Sequence, residues 1–213
     1  AEALATSNRL RGLLAEFGVV MARSEAALLR ALGDDVIRAD LPPMLLELLD
    51  QHAAHWRQLR ERLTECDRHI ATQAKADPCC VRVQRLTGVG ALTADAMVAS
   101  VGNAREFKNG RQLSAWLGLV PTQHSSGGRA VLGEISCKGD GYLRTLLIQG
   151  ARSSLQRAQA VVPERATPEQ LWIRDLAQRL PFGKLLVAIA NKHARQIWAM
   201  LARDEEYDAH AWL

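Results

Sequence analysis

Apolar residues recur along most of this chain at three- and four-residue steps, and no long stretch alternates apolar with polar as a half-buried strand does. The pattern predicts an all-α protein. Leu4 to Phe17 reads as one helix stopped at Gly18, and Ser24 caps a short second one that stops at Gly33. After Pro42 and Pro43, positions 45, 49, 52, 56, 59, 63, 66, 70 and 73 hold Leu, Leu, His, Trp, Leu, Leu, Cys, Ile and Gln, steps that alternate four and three. That is a coiled-coil seam about four heptads long. Its partner is either a second copy of the chain or the N-terminal helices folded back on it, with His52 a polar member of the seam.

Asp77-Pro78 ends that helix, and a second unit starts. Leu86-Thr87-Gly88-Val89-Gly90-Ala91-Leu92, followed by Thr93 to Val101, has the form of a helix-hairpin-helix turn. In that reading Gly88 and Gly90 permit a tight link, and the N–H groups opening the next helix can hold a DNA phosphate without reading sequence. A plain helix-helix turn has the same glycine pattern. A helix opened by Phe107-Lys108-Asn109-Gly110-Arg111 runs to Trp116, and another runs from Asp140 to Ala160. Thr167-Pro168-Glu169-Gln170 carries a capping residue, a proline at the first helical position and Gln three residues on, the start signals of a third. The last helix spans Leu185 to Ala202, after Pro181-Phe182-Gly183-Lys184. The organisation expected is residues 1–40 as the end of an earlier domain with linker helices, 41–77 as coiled coil, and 78–213 as a compact helical domain.

Between two of these helices lies a Gly/Ser-rich loop, with glycines at 127, 128, 133, 139 and 141 among Arg129, Lys138 and Arg144. Such a segment can bring hydroxyls, backbone N–H groups and positive charge to one anion. A solvated connecting loop is the simpler alternative. Charge weights the first reading: the chain carries a net +4, yet from Arg82 to Arg157 there are ten basic residues against four acidic ones. A basic middle segment is the electrostatic footprint of a nucleic-acid binder. Lys108 and Arg111 extend that face beside Arg129, Lys138 and Arg144.

The remaining composition narrows the class. No apolar run is long enough to span a bilayer, and the N-terminus has no signal-peptide pattern, so a cytoplasmic, DNA-associated protein with no membrane partner is expected. Cys66, Cys79, Cys80 and Cys137 form no C-x-x-C pair and read as reduced thiols.

Four motifs in fixed order, TGVGALTADAMVASVG (87–102), FKNGRQLSAWLGLVPTQHSSGG (107–128), GEISCKGDGYLRTLLIQGAR (133–152) and PFGKLLVAIANKHARQIW (181–198), resemble the transposases of the insertion-sequence 110 family, in its 1111 branch. The resemblance implies a DNA transposase or site-specific recombinase in which an N-terminal RNase H-like domain holds divalent metal on an Asp-Glu-Asp-Asp set. A coiled coil joins that domain to a helical domain bearing a serine nucleophile. It implies DNA and a structured guide RNA as partners, Mg2+ as cofactor of the full-length protein, and a homodimer through the coiled coil, possibly a dimer of dimers.

The family's serine corresponds to Ser126, with Ser125 adjacent and Ser136 as runner-up. The family usually has lysine where Cys137 stands. No carboxylate-bearing, strand-rich stretch precedes Leu4, so the chain is expected to contain no metal site and to be inactive in isolation. The competing reading is a non-catalytic dimerisation and nucleic-acid-binding module, in which the serine loop only grips phosphate.

Overall fold

A computed structural model describes residues 1–123, 132–208 and 212. The chain divides into two compact units, Ala1–His69 and Ile70–Leu213. Among the described residues it is helical nearly throughout, which bears out the all-α expectation. Among the described residues no helix is long and apolar enough to cross a membrane.

In the first unit α1 (Glu2–Glu16), α2 (Glu25–Leu32) and the short α3 (Asp35–Ala39) pack with the beginning of α4 (Pro43–Ala76). Ser24 accepts a hydrogen bond from the Ala27 N–H and starts α2 as its sequence signals. Asp34 caps α3 in the same way, through the N–H groups of Val36 and Ile37. Leu45, Leu49, Ala53 and Trp56 of α4 are buried against Leu10, Leu14, Leu28 and Leu32. The folded-back arrangement therefore holds for the first half of the seam. Beyond it Leu63 is 47% exposed and Cys66 is exposed, because α1 and α2 are too short to follow α4 farther.

The second unit is built on α8 (Gly141–Ala160) and α10 (Phe182–Ala202), with α5 (Pro78–Val83), α6 (Ala91–Val101), α7 (Gly110–Trp116) and α9 (Pro168–Arg179) around them. Leu143, Leu147, Ala151 and Leu155 form the buried stripe of α8; Leu185, Ile189, Ala194 and Ile197 form that of α10. Asp77 caps α5, Asn109 caps α7, Asp140 caps α8, and Thr167 with Gln170 closes a reciprocal capping box on α9. The Trp198 indole is buried and donates to the carbonyls of Ala104 and Phe107 at 3.1 and 3.0 Å.

A buried polar knot ties the last segment to this core. Glu169, 3% exposed, accepts hydrogen bonds from Thr87 Oγ1 at 2.9 Å and Tyr207 Oη at 3.1 Å. Tyr207 in turn accepts from the Trp212 indole at 3.0 Å. Burial, reinforced by the Glu169 charge, pushes the Tyr207 phenol up to about 12.

Burial likewise pushes the Cys80 thiol up to about 11. About one Cys80 in a thousand is then ionised at pH 8, and the thiolate is the reactive form. Iodoacetamide at that pH is expected to label exposed Cys66 and Cys137 in the native protein and to spare Cys80 until it unfolds, as peptide mass mapping would read. Rapid native labelling of Cys80 would refute this packing.

Candidate functional site

Sequence periodicity missed one element beside the serine loop. Two short strands, β1 (Pro121–Gln123) and β2 (Leu132–Ile135), pair antiparallel, with Pro121 opposite Ile135 and Gln123 opposite Leu132. The pairing is irregular between those two points, and three- and four-residue strands are too short to display a period of two. The hairpin is closed at its root by the Ser136 N–H, which donates to the Val120 carbonyl at 2.8 Å, and by Thr122 Oγ1, which donates to the Glu134 carbonyl at 3.2 Å. Residues 124–131, which carry Ser125, Ser126 and Arg129, lie between the two strands in the chain and outside the described residues.

The link from β2 to α8 passes tightly over the end of α7. Gly118 and Gly139 both have positive φ, +71° and +123°. A Cβ on Gly139 would fall 1.9 Å from the Trp116 carbonyl oxygen, and one on Gly118 would fall 2.6 Å from that of Lys138. Only glycine permits either contact. Between them Cys137 also takes a left-handed φ of 51° and is exposed.

This crossing brings three predicted residues into one neighbourhood. Lys138 is exposed on the link, and half-buried Ser136 stands at the hairpin root. Arg144, on the first turns of α8, donates to the Leu117 carbonyl at 3.1 Å and so pins α8 to the end of α7. Arg144 has a structural task that sequence did not show, which takes up part of its hydrogen-bonding capacity.

The other predicted residues lie apart from the root. Lys108 and Arg111 are exposed at the opposite end of α7. The Gly88–Gly90 turn joins α5 to α6 and packs halfway along α8: Gly88 has φ +83°, and its Cβ would sit 2.2 Å from the Gly150 carbonyl oxygen. Gly88 is thus required by packing. Gly90 opens α6 with no side chain capping it, and a Cβ there would meet open space. Among the described residues no group of three or more His, Cys, Asp or Glu side chains is placed to hold a metal ion. The described residues therefore do not fit a divalent metal.

Residues 80–166, which include the turn, α7, the hairpin and α8, match the family described as IS116/IS110/IS902 transposases. A probable family 20 transposase of Pseudomonas aeruginosa is 41% identical over 95% of this chain and 60% of its own length. The transposase for insertion sequence element IS1111A of Coxiella burnetii is 40% identical over 94% of this chain and 54% of its own. That for IS1328 of Yersinia enterocolitica is 31% identical over 93% and 58%. The chain thus spans between about half and three fifths of these relatives, and the similarity runs through nearly all of it: the chain belongs to the IS116/IS110/IS902 family of transposases.

Proposed function

We propose that this chain is the part of a DNA transposase that grips a DNA strand and presents Ser126 to one of its phosphodiesters. The observation that supports the reading is the hairpin: its two paired strands flank the serine stretch in the chain, and its root leads into the crossing of Gly118 with Lys138 and Arg144, within the segment matched to the transposase family. In the proposed step Ser126 Oγ forms a bond to phosphorus as the bond to one deoxyribose oxygen breaks. The serine proton passes to solvent or a nearby base, and the departing oxygen takes up a proton. One phosphoester replaces another, so the bond is retained for rejoining when a deoxyribose hydroxyl attacks in reverse. Lys138 and Arg129 are assigned to the negative charge that grows on the phosphorane oxygens. Ser125, then Ser136, follows Ser126 as nucleophile. The N–H groups at Gly88 and Gly90 and the side chains of Lys108 and Arg111 hold flanking phosphates.

The same reading includes a guide RNA as partner and self-association along α4. The exposed distal seam supports the second: Leu63 and Cys66 continue a heptad row whose first half is already buried. Leu63→Glu is expected to weaken the dimer by about 100-fold, since two leucines lose about 1.5 kcal/mol or more of burial each. Sedimentation velocity reads this; a variant that sediments as the parent does would remove α4 from the interface.

The chemistry is tested by mass spectrometry of the full-length protein incubated with magnesium, RNA and a nicked duplex. A DNA-linked peptide containing Ser126 supports the proposal. Strand cleavage with no adduct would leave this chain a nucleic-acid-binding module.

A further inference from the structure

Away from the hairpin, the start of α7 lies directly on α10. A Cβ on Gly110 would fall 2.8 Å from the Arg195 Cα and 2.9 Å from its carbonyl oxygen. This close crossing leaves an open cleft of about 420 Å³ whose walls include Arg111, Lys192, Arg195, Gln196 and Trp198. Three cations line it and no carboxylate does. None of the three forms an ion pair among the described residues, although arginines elsewhere in the same unit do. Lys192 is half-buried near the faces of Trp172 and Trp212, at 5.8 and 5.6 Å from the ring centres. Burial and the neighbouring Arg195 charge both hold its ammonium below the usual lysine range. Like charges that converge without a counter-ion repel one another, and an anion relieves them. The Gln196 carboxamide in the same wall is buried, and neither its nitrogen nor its oxygen has a hydrogen-bond partner among the described residues.

We propose that this cleft holds a backbone phosphate of the DNA on which the Ser126 hairpin acts, with Arg111 and Arg195 as its outer donors and Lys192 as its inner charge. The inference rests on the DNA reading above and adds a second contact to it. The anion is a phosphate and not a base, because the one aromatic in the wall, Trp198, is buried with its N–H already given to two carbonyls. Position supports the same strand. The cleft is at the start of α7 and the hairpin follows its end; seven residues of helix span about 10 Å. Phosphates along one duplex strand advance about 3.4 Å along the axis per step and lie farther apart through space, so a strand gripped at the hairpin carries another phosphate at this distance one or two steps on.

The test is the salt dependence of binding to a DNA duplex, read by fluorescence anisotropy beside an RNA hairpin of equal length. Each phosphate contact contributes about 0.9 to the slope of log K against log salt. Arg111→Gln with Arg195→Gln is expected to lower the duplex slope by about one and to weaken binding at least tenfold in about 0.1 M salt. Arg111→Lys with Arg195→Lys keeps the charge and is expected to keep most of the slope. Arg165→Gln with Arg179→Gln, equal in charge lost and exposed outside the basic segment, is expected to leave the slope as in the parent.

Melting curves show whether each variant is folded; if the glutamine pair is not, Arg111→Gln alone, at an exposed position, carries the test and is expected to weaken duplex binding where Arg111→Lys does not. A salt-dependent parent whose cleft variants all bind unchanged, or whose control pair loses as much, overturns this site alone. A loss confined to the RNA hairpin also overturns it. A parent whose duplex binding is flat in salt overturns the DNA reading and the site together.

Discussion

Ser126→Ala is expected to abolish the covalent protein–DNA adduct and to lower strand exchange by about 10⁴-fold or more while non-covalent DNA binding persists. The two effects separate because they have different physical origins. Affinity for DNA comes chiefly from cations and released counterions, to which one hydroxyl adds little. The adduct needs an oxygen nucleophile aligned with the bond that breaks, and alanine has none. Mass mapping of the adduct, with anisotropy for binding, checks both in the full-length protein. An adduct that persists and maps to Ser125 or Ser136 would reassign the nucleophile. Ser136 is the less favourable geometry, since its own N–H closes the hairpin on Val120 and fixes the backbone there. Loss of binding together with loss of the adduct would mean that Ser126 acts in holding the strand.

Sequence made the helices legible where burial is one-sided. The stripe Leu143, Leu147, Ala151 and Leu155 repeats at fours, and the caps at Ser24, Asp77, Asp140 and Thr167 act on the positions their residue types announce. The seam of α4 was legible as a row but not as a contact. A period of 3.5 says which face is apolar and nothing of what covers it, and here the chain itself covers Leu45 to Trp56 only. The hairpin escaped because its strands are too short for a period and their pairing is irregular.

The site residues were legible by type. Their grouping depends on contacts between segments far apart in sequence, such as Arg144 on Leu117 and Gly110 on Arg195. Lys192, Arg195 and Gln196 lie in a motif that carries the family resemblance, on a helix legible from its periodicity; the crossing of α7 turns that stretch into the wall of a cleft.

Gly150→Ala is expected to destabilise the second unit, although the same change inside an isolated helix would stabilise it by about 1 kcal/mol. Gly150 lies in the middle of α8, where a glycine weakens the helix unless packing requires it. Packing does require it: a Cβ would fall 2.5 Å from the Gly88 carbonyl oxygen, while a Cβ on Gly88 would fall 2.2 Å from the Gly150 carbonyl oxygen. The two glycines let the turn before α6 lie directly against α8. Ser154 fastens the contact by donating its hydroxyl to the Thr87 carbonyl at 2.7 Å. No flexible side-chain end can swing aside, so a methyl group must push backbone from backbone.

The overpacking cost, commonly about 1–3 kcal/mol and larger against backbone, exceeds the gain in helix propensity. A net loss of about 2 kcal/mol would lower the melting temperature of this unit by roughly 4–8 °C. Gly88→Ala should cost more, because it adds the strain of a positive φ to the same collision. Calorimetry of the two variants orders them, and a Gly150→Ala protein that melts at or above the parent would show that the turn and α8 do not meet as described. The separation of α6 from α8 would also move the open start of α6 relative to the hairpin on the same unit. Gly150→Ala should therefore weaken DNA binding if Gly90 contacts a phosphate, even though residue 150 itself touches none.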